Sequence, residues 1–286
     1  MLGFPRNPRT LLVSGLVSFP TTRWLVRFGY DGAAYHGWAR QPGLRTVEGE
    51  ILRGLVRLKI VPSVEAARLA VASRTDRGVS ARANALVLST DLPSVVLLRS
   101  LNGISTDLSF LAATPVPEDF RVRRAVRRVY RYFELLRDHD PDRWERAARI
   151  FSGTIDVRSF GRGLSPGSPV YRDVESVTVQ PIEGGLLVEI RAPSFVWGMV
   201  RKIIASLREY DSGRVTLARL GSAIRGEVRL MLPMAEPDGL VLWDVEYPVP
   251  WTLSWKGPNR HQLGRTRSQL DALWTRSKVL AGISTV

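Results

Sequence analysis

Short apolar runs of strand period are interspersed with amphipathic helical stripes along this chain. They never settle into the strand–helix–strand beat that builds a parallel sheet. Residues 23–28 read as a strand with Trp24, Val26 and Phe28 on one face. Tyr30-Asp31-Gly32 turns the chain, and Thr46 can cap a helix with Glu48 and Glu50 in its first turn, where the dipole favours anions. Val47, Ile51, Leu55 and Leu58 form that helix's expected buried stripe. Residues 83–89 resume a strand, and Pro93 opens a short helix ending near Asn102-Gly103. Pro115-Val116-Pro117 marks a boundary. Beyond it, strands are expected at 130–136, at 174–179 and 186–191 joined by Glu183-Gly184-Gly185, and at 240–247. Helices are expected at 142–151 (Trp144, Ala147, Ala148 and Phe151 inward), at 199–209 (Met199, Val200, Ile203, Ile204 and Leu207 inward) and at 216–225. Pro248 and Pro250 then end the fold. The expectation is an α+β architecture with mainly antiparallel sheets. Residues 1–22 form an N-terminal extension, 23–116 and 117–250 two α+β halves, and 251–286 a basic tail.

The charge narrows the partners. The chain of 286 residues carries a formal +14, and lysine occurs only at positions 59, 202, 256 and 278, so the excess is arginine. Arginine pairs with phosphate through a planar fork and stacks on bases, which makes nucleic acid the first partner to consider. The rival is a solvated surface of arginine-biased composition. Cysteine is absent, which excludes disulfides, thiolate catalysis and cysteine-held metals. Only His36, His139 and His261 occur, scattered, so a histidine metal site is not expected. No segment has the length of a membrane helix, and the stretch 11–17 is too short and broken for a signal peptide, so a cytoplasmic protein is expected.

Chemistry concentrates at Ser73-Arg74-Thr75-Asp76-Arg77-Gly78-Val79-Ser80-Ala81. One carboxylate sits between two arginines beside a glycine that permits a tight turn. An ionised, positioned aspartate can attack carbon; alternatively, the segment is a turn in which Asp76 caps backbone donors. A second dense segment places Arg121, Arg123, Arg124, Arg127, Arg128 and Arg131 within eleven positions, interleaved with Tyr130 and Tyr132. That pattern suits a polyanion whose bases stack, although charge also protects edge strands. Arg201 opens an otherwise apolar helix and could face a carboxylate such as Asp76, whereas most helix arginines are solvated. Phe195 and Trp197 just before it are expected in the core. Gly163-Leu164-Ser165-Pro166-Gly167 matches a nucleophile-elbow pattern but lacks the flanking strand and helix. No phosphate-loop or dinucleotide glycine pattern is present.

These segments, taken in order, resemble the TruA-type tRNA pseudouridine synthases. Tyr30-Asp31-Gly32, Tyr35-His36-Gly37-Trp38 with Gln41, and Thr46-Val47-Glu48-Gly49 are similar to the family's opening. Residues 73–81 resemble its catalytic loop, with Ser73 in place of a usual glycine and Ser80 where bacterial members usually carry histidine. Leu101-Asn102-Gly103, residues 120–132, residues 195–207 and Gly239-Leu240-Val241-Leu242 resemble its later motifs.

The resemblance implies two α+β halves meeting at a central basic cleft. It implies isomerisation of uridine to pseudouridine in the tRNA anticodon stem-loop, at tRNA positions 38–40, without cofactor or metal. Asp76 would be the nucleophile, Arg74 would help extrude the nucleotide, Tyr130 would pack on the base and Arg201 would orient Asp76. Arg77, Arg127 and Arg128 would join Tyr130 in binding the substrate. Bacterial members are homodimers, which extends that expectation here. Two rivals stay open: a basic RNA-binding protein without chemistry, and a hydrolase using Ser165.

Overall fold

The apolar runs pair into one long sheet. The computed structural model describes residues 20–135, 139–164 and 167–257. Expectations for residues 1–19, for Leu136, for Ser165 and Pro166 and for residues 258–286 lie outside the described residues.

The strands of the first half are β1 (Thr22–Tyr30), β2 (Ala70–Val71), β3 (Ser80–Thr90) and β4 (Leu108–Pro115). Those after residue 117 are β5 (Arg127–Leu135), β6 (Gly153–Asp156), β7 (Tyr171–Val174), β8 (Ser176–Ile182), β9 (Gly185–Ala192), β10 (Leu240–Glu246) and β11 (Leu253–Ser254). The helices are α1 (Val47–Arg57), α2 (Ser94–Asn102), α3 (Pro141–Arg149), α4 (Met199–Asp211) and α5 (Leu217–Ile224). Nine strands join in one sheet ordered β11-β4-β1-β3-β10-β5-β9-β8, with β2 added on β3, while β6 and β7 pair separately. The fold is α+β and mainly antiparallel, as expected.

One feature of the topology differs from two separately sheeted halves. β10 inserts between them, parallel to β3 through Val241–Ser80 and Leu242–Ala81 and antiparallel to β5. The late strand covers the edges of β3 and β5, each of which would otherwise present unpaired backbone groups. The sheet therefore runs unbroken across the boundary at Pro115-Val116-Pro117.

Local signals hold where one face is solvated. Thr46 Oγ1 accepts from the Gly49 amide at 3.3 Å and caps α1, with Glu48 and Glu50 in the first turn. Trp144, Ala147 and Ala148 of α3, and Met199, Val200, Ile203, Ile204 and Leu207 of α4, are buried.

Elsewhere, packing overrides pattern. Trp24, Leu25 and Val26 of β1 are all buried, because both faces of the strand are covered and alternation carries no side preference there. Leu58 lies just past the end of α1 and is 40% exposed, so the stripe stops at Leu55. The strand expected at 174–179 is split at Glu175: β7 leaves to pair with β6, and β8 pairs with β9. The fold also continues past Pro248 and Pro250, where β11 pairs with β4 and the Trp255 amide donates to Leu111 O at 2.8 Å.

Candidate active site

Three chain segments fix the loop that carries Asp76. Tyr30, at the end of β1, shares a hydrogen bond with Thr75 Oγ1 at 2.8 Å. The Trp38 amide donates to Thr75 O at 3.0 Å, and the Gly32 amide to Ser80 Oγ at 3.0 Å. Gly37, with φ of 89°, packs so closely that a Cβ there would lie 3.1 Å from Thr75 O. Asn84 on β3 donates to Ser73 O at 2.8 Å. Asp76 and Val79 close the turn through an amide–carbonyl bond of 3.2 Å, with Gly78 at positive φ. The Tyr30-Asp31-Gly32 and Tyr35-His36-Gly37-Trp38 stretches thus serve as the clasp of the Asp76 loop.

The second half supplies the groups facing that loop. Arg201, in the first turn of α4, places Nη1 3.2 Å from Asp76 Oδ2, while its Nε donates to Ala235 O at 2.5 Å. The Asp76 side chain is 32% exposed and that of Arg201 14%. Trp197 Nε1 donates to the other oxygen, Oδ1, at 2.9 Å. Tyr130 on β5 is buried, its ring meeting Phe195 edge-on with centroids 4.9 Å apart. Burial pushes the Tyr130 phenol above its usual range, outweighing a hydrogen bond to Ser73, so it carries its proton at neutral pH. These groups line a cleft of about 1090 Å³.

The arginines divide. Arg74 and Arg77 flank Asp76, are exposed and line the cleft, and the exposed Arg123 lines it too. Arg128 also lines the cleft but is buried. Its Nε donates to Ser73 Oγ at 3.0 Å, and its Nη2 to Ala72 O at 3.1 Å and Arg123 O at 2.8 Å. Its Nη1 donates to Pro193 O. Arg127 points elsewhere: it pairs with Glu175 and, at 3.0 Å, with Glu246, and it is not among the cleft-lining residues. The structure therefore brings Asp76, Arg74, Arg77, Arg128, Tyr130 and Arg201 to one cleft and leaves Arg127 outside it.

Trp197 departs from the expected core position. It is 57% exposed and lies in the cleft. Gly198, left-handed at the N-cap of α4, sets Trp197 in the turn before the helix rather than on its packed face. Among the described residues, no group of three or more His, Asp or Glu side chains could hold a metal ion, and no helix is long and apolar enough to cross a membrane.

A family model described as tRNA pseudouridine synthase matches residues 147–248. The tRNA pseudouridine synthase A of Thermococcus onnurineus is 38% identical over 79% of this chain and 85% of its own length. The protein of the same name from Thermococcus kodakarensis is 38% identical over 78% of this chain and 84% of its own. That from Pyrococcus furiosus is 35% identical over 79% and 84%.

Proposed function

This chain belongs to the TruA family of tRNA pseudouridine synthases, isomerases that act on tRNA, and we propose that Asp76 is the nucleophile with which it converts uridine to pseudouridine in the anticodon stem-loop. The observation that carries this reading is a carboxylate gripped through both oxygens, by Arg201 and by Trp197, in a cleft rimmed by exposed arginines.

A stacked base must leave its stack before an enzyme can reach the sugar behind it. Arg74 and Arg77, beside the carboxylate and turned to solvent, suit the phosphates flanking such an extruded nucleotide. In the proposed step, an Asp76 oxygen bonds to ribose C1′ and the N-glycosidic electron pair departs with uracil N1. The base turns over, C5 bonds to C1′ and the carboxylate leaves with its electron pair. C5 then loses its proton to solvent while N1 gains one. Atoms and electrons balance without an external cofactor. Tyr130, buried and protonated beneath the cleft, can pack against the base and hand a proton to or from a neighbour, though it starts as an acid. The anticodon arm, tRNA positions 38–40 and a homodimeric enzyme belong to the same proposal; the arginine-rich cleft mouth supports the choice of an RNA backbone as ligand.

The test is release of tritium from tRNA labelled at uridine C5. Asp76→Ala is expected to lower turnover by about 10³-fold or more while tRNA binding persists. Full release by D76A would overturn the nucleophile. Mapping pseudouridines in tRNA from cells with and without the gene reads out the positions, and an unchanged anticodon arm would overturn that part.

A further inference from the structure

Trp197 is unusual in two respects. A tryptophan more than half exposed leaves a large apolar ring in water, and its single donor is nonetheless spent on a carboxylate. Its surroundings hold the ring in place. The Arg162 amide donates to Trp197 O at 2.9 Å, and the Arg162 guanidinium stands 5.5 Å from the ring centroid. Gly163 runs so near that a Cβ there would lie 3.3 Å from the indole. Gly198, with φ of 76°, separates the residue from α4, so the indole sits in a turn against the cleft rather than on a packed helical face.

The geometry of a carboxylate gives this contact a use. Asp76 has two oxygens and about four lone-pair directions. Arg201 reaches Oδ2 at 3.2 Å and Trp197 reaches Oδ1 at 2.9 Å. One donor alone leaves the plane of the group free to rotate about the Cβ–Cγ bond. Two donors on different oxygens fix it and leave the remaining lone pairs open to the cleft. The two come from either side of one turn, four positions apart, so a single local structure sets the aim of the nucleophile. The exposed ring lies beside the same oxygen and offers a flat apolar surface to a base delivered there.

We infer that Trp197 is a positioning residue for Asp76, its indole N–H fixing the carboxylate plane, and that its open ring receives the base of the extruded nucleotide. This rests on the function proposed above. The two ends of the residue separate experimentally. Trp197→Phe keeps a ring and removes the donor; Trp197→Ala removes both. With C5-tritiated tRNA, W197F is expected to lower kcat about tenfold with KM within about twofold of wild type. W197A is expected to lose the same kcat and also to raise KM about tenfold. Both should keep the wild-type Tm, since the side chain is exposed. W197F at the wild-type kcat would overturn the positioning role, and W197A at the wild-type KM would overturn the stacking role. If the wild type itself releases no tritium, the proposed function fails instead. The tryptophan emission that W197F lacks then still reports on the contact. A shift of that emission in D76A supports the hydrogen bond, and an unmoved spectrum overturns it.

Discussion

A carboxylate offers two oxygens, and at Asp76 each meets a different kind of donor: a charged guanidinium on one and a neutral indole on the other. Beneath them Tyr130 contributes a hydroxyl rather than a charge. Burial raises its proton affinity, so near neutral pH it can donate but does not begin as a base. Tyr130→Phe keeps the ring that packs edge-on against Phe195 and removes only the oxygen. Its expected signature is unchanged tRNA affinity with turnover lowered about 10- to 100-fold, measured by single-turnover tritium release. Unchanged turnover would mean that the ring matters and the hydroxyl does not.

Between elements, Arg128 ties the site together. It extends from β5 and donates to Ala72 O and Ser73 Oγ of the Asp76 loop approach, to Arg123 O, and to Pro193 O just after β9. Removing it strands the buried Ala72 carbonyl and Ser73 hydroxyl together with the less buried carbonyls of Arg123 and Pro193, and an unsatisfied buried acceptor costs about 1–3 kcal/mol. Arg128→Ala is therefore expected to destabilise the protein by about 2–4 kcal/mol in a urea titration. Arg128→Lys, with one ammonium for a five-donor fork, should recover only part of it. A loss below about 0.5 kcal/mol would show that water replaces these bonds.

The same arginine shows where sequence reasoning runs short. Its density with Arg127 and Arg131 suggested phosphate contacts, and nothing in spacing distinguishes a guanidinium that meets RNA from one that meets carbonyls. Arg127 likewise meets Glu175 and Glu246, which come from distant parts of the chain. By contrast α1, α3 and α4 were legible, because a helix with one solvated face writes its burial into a period of 3.6 residues. β4, with Leu108, Ser109, Phe110, Ala112, Ala113 and Thr114 all buried, carries no alternation to read, and β2, β6 and β11 are too short to declare themselves. Asp76 and Arg201 stand out as candidates in their own segments, but their roles, and that of Tyr130, come from the ordered resemblance. Their meeting depends on β10 joining the two sets of strands, which no local pattern encodes.

At the scale of the whole molecule, that joining is expected to make the halves unfold as a single cooperative unit, and the buried and partly buried tyrosines report on it. Tyr30 and Tyr35 lie in the first half, Tyr130 and Tyr132 on β5, and Tyr247 just beyond β10. Burial is the leading cause that raises the phenol of each. An unfolded tyrosine titrates near pH 10. Below that value both states hold the proton and the folded state keeps its full advantage. Above it the unfolded chain releases protons that the folded chain retains, so stability falls as pH rises, by up to about 1.4 kcal/mol per pH unit for each such phenol. Because the groups lie on or beside one continuous sheet, alkaline unfolding is expected as a single steep transition above pH about 10. The tyrosinate absorbance of these five residues, read as the difference from their Phe variants, should rise in step with the loss of far-ultraviolet circular dichroism. Tyr247→Phe, which removes one phenol together with its hydrogen bond to Val122 O, should make the transition shallower with pH. Two separated steps would show instead that β10 does not bind the halves into one unit, and absorbance rising well before the dichroism falls would show that the phenols titrate in the folded protein.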